Sequence, residues 1–359
     1  MKKIILTGGG SAGHVTPNLA LIPELQRRGY SIEYIGSENG LERDLVEAAG
    51  IPYHPIATGK LRRYLSLKNL TDPFRVLKGF AQAKKLLKTL KPDAIFAKGG
   101  FVSAPVLKAA KALKIPALLH ESDLTPGLAN RLCFKDVRFA LCNFPETLAH
   151  LPAGKSFVSG CPIRGDLREG SRAQGLAFAG LPGEKPLLLI IGGSLGSLYL
   201  NNQVRGNLDS LLNHFEIIHL CGKGHLDESL KGRRGYAQFE YVSREMKDLL
   251  AAADLVLSRA GANAICELLF LKKPMLLVPL SQKASRGDQI LNARSFEKQG
   301  FARVLEEEEM NGKDLTSLLL RLYEDRESFI TRMSESPLND AISFVCDKIG
   351  EAIKDGGMA

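Results

Sequence analysis

Twice in this chain an apolar run gives way to a glycine-rich loop and then to a helical pattern: KKIILTGGGSAGHVTPNLAL near the start and LLLIIGGSLGSLYLNNQ from residue 187. A strand that ends in glycine and re-enters a helix opens a βαβ unit, which commits its neighbours to a parallel sheet. Behind each opening the pattern repeats. SIEYIGS, DAIFAKGG, PALLHES and RFALCN follow the first; FEIIHLCGKG, AQFEYVS, DLVLSRAG and PMLLVPLS follow the second. The chain therefore predicts two doubly wound, Rossmann-like α/β domains. Each should carry its glycine turn at the carboxyl edge of its sheet, where such folds bind ligands. The two edges are expected to face each other across a deep cleft. A length of 359 residues suits two such cores.

The alternation breaks at CPIRGDLREGSRAQGLAFAGLPGEKP, whose Gly, Pro and charge content reads as a linker. The expected boundaries are 1–163, 164–336 and a terminal helix within 337–359. Ile342, Val345, Ile349 and Ile353 make one apolar face of that helix, which could pack back across the domain junction.

Composition excludes several classes. No apolar run reaches the roughly 18 residues a membrane span needs. The start of the chain enters a strand without signal-peptide architecture, so a cytoplasmic location is expected. The cysteines, Cys133, Cys142, Cys161, Cys221, Cys266 and Cys346, form no C-x-x-C pair and read as reduced, buried thiols. A net charge of +9 calls for an anionic partner. Much of it gathers in 60–91, where Lys60, Arg62, Arg63, Lys68, Arg75, Lys78, Lys84, Lys85, Lys88 and Lys91 interleave with Leu61, Tyr64, Leu65, Leu67, Leu70, Phe74, Val76, Leu77 and Phe80, against the single acid Asp72. Such a stretch reads equally as an anionic membrane-docking surface or as a solvated helix face.

Gly8, Gly10 and Gly13 fit the G-x-G-x-x-G dinucleotide fingerprint. That site also needs an acid at the tip of the second strand for the ribose diol. Here the tip is Gly36–Ser37, and Glu33 lies inside the strand, so a dehydrogenase reading fails. The second half offers a better diphosphate site. SRAGANAICELL places Gly261 and Ala262 before a helix with Asn263 near its start, where backbone amides and the helix dipole favour an anion. Glu267, one turn in, can accept hydrogen bonds from ribose hydroxyls. With GGSLGS at Gly192–Ser197, these features favour a nucleotide diphosphate held by the C-terminal domain.

GGGSAGHVTPNLALIPEL, AKGGFVSAPVLKAA, LHESDLTPGLANR, GCPIR, GGSLGS, SRAGANAICELLFLKKPMLLVPL and GDQILNA resemble, in order and spacing, the MurG family of peptidoglycan N-acetylglucosaminyltransferases. The resemblance implies a GT-B fold and a UDP-N-acetylglucosamine donor. It implies inverting transfer to an undecaprenyl-diphospho-muramoyl-pentapeptide, lipid I, at the cytoplasmic membrane face, giving lipid II in cell-wall synthesis. Its partners would be these substrates, an anionic membrane surface and cell-wall synthesis proteins, with no nucleic acid, cofactor or metal. Carried over by motif, the donor contacts fall on Ser11, Ala12, Gly13, Arg164, Ser194, Val242, Ala262, Asn263, Ala264, Ile265, Cys266, Glu267 and Gln289. The chain departs from the family pattern in three places. Ser11 and Ala12 stand where Thr and Gly are common, Glu121-Ser122-Asp123 stands for E-Q-N, and Asp288-Gln289 stands for a Gln pair.

Inversion at the anomeric carbon needs a base at the acceptor hydroxyl and stabilisation of the departing diphosphate. His14 suits the base because neutral imidazole is available at working pH; Asp123 and Glu121 are rivals. Arg164 and the helix start after Gly261 suit the leaving group. Three alternatives stay open: a UDP-sugar epimerase with the same fold and nucleotide site but no lipid acceptor, a glycosyltransferase with the same donor logic acting on diacylglycerol, and a nucleotide-binding regulator without catalysis.

Overall fold

The computed structural model describes residues 1–59, 68–193, 195–282 and 287–356. β1 (Lys3–Thr7), β2 (Ser31–Ser37), β3 (Tyr53–Ile56), β4 (Ala94–Ala97), β5 (Ala117–Glu121), β6 (Phe139–Cys142) and β7 (Ser156–Val158) form one sheet. Their order is β3-β2-β1-β4-β5-β6-β7, and every pair is parallel. A parallel sheet is covered on both faces, so its central strands are apolar throughout instead of alternating. The two faces are separate cores. Ile4 and Leu6 of β1 join Tyr34 and Phe96 in one; Ile5 joins Ile35, Ile95 and Ala97 in the other. That split is the two-residue period of a strand at work.

The second sheet holds β8 (Leu187–Ile191), β9 (Glu216–Leu220), β10 (Tyr236–Phe239), β11 (Leu255–Ser258), β12 (Met275–Leu277) and β13 (Ala302–Val304). It is again all parallel, in the order β10-β9-β8-β11-β12-β13. In both sheets the direction of winding reverses beside the first strand, between β1 and β4 and between β8 and β11. The loops leaving those strands therefore flank a switch-point crevice, the usual ligand site of doubly wound sheets.

Three strands escape a reading of the sequence: β3, β7 and β13. All are at sheet edges, three or four residues long, and only partly buried. A short edge strand has one neighbour and a wet side, so it carries no continuous apolar run.

By contact the chain divides into unit 1, Met1–Arg164 with Asp340–Ala359, and unit 2, Gly165–Asn339. The stretch read as a linker is mostly a built part of unit 2. Its residues Arg172–Ala179 form a helix capped by Ser171, and the Ser171 amide donates to Asp248 at 2.7 Å. Gly175 lets this helix lie against Met246–Ala252, since a Cβ there would stand 2.3 Å from the Asp248 carbonyl oxygen. Gly170 and Gly175, two of the glycines that suggest a linker, are thus close-approach residues against the helix Met246–Ala252. The terminal helix Ala341–Gly356 belongs to unit 1: Val345, Ile349, Ala352 and Ile353 are buried in the core with Leu21, Leu25 and Ile32. Arg28 reaches it, pairing with Asp347 at 2.6 Å. All six cysteines are buried and unbridged.

Candidate active site

The loop leaving β1 is held tightly. A Cβ on Gly8 would stand 2.4 Å from the His14 carbonyl oxygen, and one on Gly100 would stand 2.2 Å from that of Gly9. Gly10 has φ +89°, in the left-handed region that favours glycine. Ala12–His14 then make a single 3-10 turn before the helix Thr16–Arg27. The turn brings Ser11 Oγ to 3.1 Å from His14 Nδ1. Burial and the charge of Lys98 lower the His14 pKa to about 4, against the opposing pull of a backbone hydrogen bond to Gly9 and of Glu42. The imidazole is therefore neutral across the working range.

The dehydrogenase fingerprint fails here for a reason the sequence did not show. Glu42, from the helix Glu42–Ala48, folds its fully buried carboxylate back to the tip of β2. It accepts from the amides of Ser37 at 3.0 Å and Gly10 at 3.3 Å, and from the Ser37 hydroxyl. The protein's own carboxylate thus takes a loop amide that a cofactor diphosphate would use. Glu33 is turned aside, as its place within the strand implies, and pairs with Lys3 and His54, each at 2.6 Å.

At the ends of β4 and β5 lies a second polar cluster. Lys98 is fully buried, and its Nζ sits 2.7 Å from both His120 Nδ1 and Ser122 Oγ. His120 Nε2 is 2.9 Å from the Gly160 carbonyl, to which it must donate, so Nδ1 is the acceptor for the ammonium. Burial and Lys98 push the His120 pKa well down. Glu121, one of the rival bases, holds the loop that follows it. Its carboxylate accepts from the amides of Ser122, Asp123 and Gly127 and from Asn130 Nδ2, at 2.8 to 3.1 Å. Burial pushes its pKa up. Both oxygens serve loop structure.

In unit 2 the loop after β8 is packed under the end of β9: a Cβ on Gly196 would meet the Cys221 carbonyl oxygen at 2.1 Å. Ser194 lies outside the described residues. Ser197 caps the helix Leu198–Gly206, and buried Arg259 donates to its Oγ at 2.5 Å. Arg259 also donates to the Val278 carbonyl at 3.0 Å and pairs with Glu307, whose carboxylate receives the Ser281 amide at 3.1 Å. One guanidinium therefore ties together the loops after β8, β11 and β12. Lys98, Glu42 and Arg259 are the polar anchors that motif reading missed. The signal for Lys98 was present, a lysine at the end of an apolar strand before two glycines in AKGG.

The helix Ala262–Phe270 starts from extended Gly261, and no side chain caps it. Asn263, Ala264 and Glu267 are half-buried, while Ala262, Ile265 and Cys266 are buried. Glu267 follows Asn263 by four residues, so the two share a face. Gln289 Oε1 accepts the Leu280 amide at 3.1 Å. Val242 is buried, and Arg164 is exposed as the last residue of unit 1's first segment. Among the described residues no group of three or more His, Cys, Asp or Glu is placed to hold a metal ion.

Comparison with known proteins is consistent along the whole chain. Residues 4–139 match the glycosyltransferase family 28 N-terminal domain and residues 187–345 the family 28 C-terminal domain. A Lachnospira eligens protein named UDP-N-acetylglucosamine--N-acetylmuramyl-(pentapeptide) pyrophosphoryl-undecaprenol N-acetylglucosamine transferase is 55% identical over 99% of each chain. A Clostridium botulinum protein of the same name is 56% identical over 99% of this chain and all of its own. Among solved structures, the Acinetobacter baumannii MurG crystal structure covers 98% of this chain and all of its own, with TM-score 0.78 and 27% identity. A Neisseria meningitidis UDP-GlcNAc 2-epimerase shares the fold at TM-score 0.69 and 15% identity, over 98% of this chain and all of its own.

Proposed function

The chain belongs to the MurG family of glycosyltransferases, with its GT-B fold, and from that premise we propose that it moves N-acetylglucosamine from UDP-N-acetylglucosamine to undecaprenyl-diphospho-N-acetylmuramoyl-pentapeptide. Full-length identity above half to proteins named for that reaction carries the reading. In the transfer the acceptor hydroxyl oxygen attacks the anomeric carbon. The bond from that carbon to the donor diphosphate breaks, and UDP leaves with its electrons. The hydroxyl proton passes to His14. A neutral imidazole can take that proton. In unit 2 the amides at the start of Ala262–Phe270 face the diphosphate, and Glu267 takes the ribose hydroxyls. Arg164 adds positive charge for the leaving group. Ser11, Ala12 and Gly13 serve the donor through the turn that carries His14, and Gln289 through the amide end of its side chain. Buried Val242, Ala262, Ile265 and Cys266 serve it through their backbones or by shaping the wall.

The acceptor's polyprenyl chain lies in the membrane, so the enzyme must come to its cytoplasmic face. Among the described residues no helix is long and apolar enough to cross a membrane. The helix Lys68–Leu90 suits peripheral attachment: Phe74 and Leu77 are 73% and 64% exposed beside exposed Arg75 and Lys78. Lys60, Arg62 and Arg63 of the same basic stretch lie outside the described residues.

Labelled UDP-N-acetylglucosamine with and without the lipid acceptor tests the reading. Transfer of label to the lipid supports it. Epimerised nucleotide sugar formed without lipid, or label on diacylglycerol, would replace it with the matching alternative.

A further inference from the structure

We propose that Lys98 is a positioning residue for this reaction, a buried ammonium that holds Ser122 and His120 in place and sets the charge environment of His14. The inference deepens the reading of His14 as the base and rests on it.

Lys98 follows the last residue of β4, beside the switch point. Its amide donates to the Thr7 carbonyl at 2.9 Å, which locks it to the end of β1. Its Cβ would be 3.3 Å from a Cβ on Gly8, so it backs directly onto the loop that carries His14. The ammonium spans to the end of β5, at 2.7 Å from His120 and 2.7 Å from Ser122. One residue thus joins β1, through its amide, to β5, through its ammonium, where the strands deliver their loops.

A buried ammonium is costly unless its hydrogen bonds are met, and it acts strongly on nearby groups because little water screens it. The charged groups acting on His14 are Lys98, from the end of β4, and Glu42, from the helix after β2. They pull in opposite directions. Lys98 favours the neutral ring, the form that accepts a proton; Glu42 favours the charged ring that results. Ser122 also opens the loop whose amides bind Glu121. Losing the ammonium therefore disturbs both the proton acceptor and the loop beside it.

The test compares Lys98→Met, Lys98→Arg, His14→Ala and the Lys98→Met/His14→Ala double variant in the full-length enzyme. The substrates are UDP-N-acetylglucosamine and a short-chain, water-soluble lipid I analogue, and cooperative thermal unfolding serves as the check on folding. Lys98→Met should lower kcat about 10- to 100-fold, with a smaller change in KM for the donor, and move the acid limb of the pH–rate profile to higher pH. Lys98→Arg should keep the limb near its original place. The double variant should lose clearly less than the product of the two single losses, because the part of Lys98 that acts through His14 adds nothing once His14 is gone. A folded Lys98→Met enzyme with the parental pH profile, or losses that multiply in the double variant while His14→Ala is itself slow, would overturn the role of Lys98 and leave His14 as the base. A His14→Ala enzyme with parental turnover would remove the base assignment, and this proposal with it. Should Lys98→Met fail to fold, Lys98→Gln takes its place under the same criteria.

Discussion

The two units begin with the same construction and finish it differently. In unit 1 the glycine loop is filled from inside: Glu42 takes the Gly10 amide, Gly100 presses on Gly9, and Lys98 backs the strand end. In unit 2 the glycine loop after β8 is packed against β9 and clamped by Arg259, but the neighbouring helix Ala262–Phe270 starts from a glycine with no side chain capping it. A glycine-rich strand–helix turn is therefore no guide by itself to where an anion binds. What matters is whether the protein supplies its own carboxylate to that turn. Unit 1 does so at Gly10; in the reading proposed above, it contributes the imidazole of His14 and unit 2 the helix start.

The sharpest way to break this division of labour is to remove its two leading residues separately. His14→Ala should cut turnover about 10²–10⁴-fold while UDP affinity, measured by calorimetry, stays at the parental value. A loss of UDP affinity of comparable size would show that unit 1 holds the nucleotide too. Next in size, Glu267→Ala should weaken UDP binding by about 1.5–3 kcal/mol, with or without acceptor. Unchanged affinity in a folded variant would take Glu267 out of the ribose site and leave unit 2 with the helix start alone.

A smaller effect should divide the units by solvent. Reversing Arg75 and Lys78 to Glu should weaken binding to vesicles rich in acidic phospholipid by about 1 kcal/mol or more for each base, and salt should weaken the parent in the same direction. UDP affinity and turnover on a short-chain soluble acceptor should be kept. Equal losses on soluble and bilayer acceptors would assign these bases to the substrate or the fold.

The smallest effect concerns acid. Buried His219 bonds Tyr236 and Asn201 at 3.0 Å each, and burial followed by Arg205 pushes its pKa down to about 3. An unfolded imidazole titrates near 6.5. The fold's preference for the neutral ring is thus fully present above about pH 6.5 and is lost as pH falls from there toward 3. Urea midpoints should decline across that window, and less steeply in a folded His219→Gln variant. An identical slope in the variant would mean the ring is not held neutral by the fold.

Much of this was legible beforehand because central parallel strands write themselves as unbroken apolar runs. β1, β4, β8 and β11 could be read directly, and with them the glycine turns, His14 and the helix start after Gly261. The edge strands β3, β7 and β13 could not, since partial burial leaves no run to read. The helix Arg172–Ala179 was hidden by glycines that serve close approach to Met246–Ala252 instead of a bend. The anchors were hidden for a different reason. Glu42 and Arg259 act on loops distant in sequence, and a buried charge looks like a surface charge until its partners are known. Lys98 sat in a quoted motif and still gave no hint of the histidine it would meet across the sheet.

The helix Ala341–Gly356 has a consequence for how the protein is made. It supplies Val345, Ile349, Ala352 and Ile353 to a core whose other members lie in the first part of the chain, and all of unit 2 is encoded in between. On the ribosome, where folding proceeds from the N-terminus and domains form as units, the first-made unit is the last that can close. Until the helix emerges, the apolar flank around Leu21, Leu25 and Ile32 has no cover, whereas unit 2 already holds all its own strands. Nascent chains stalled before residue 341 should therefore show a protease-resistant second unit beside a first unit that needs a chaperone. Emergence of this helix closes unit 1.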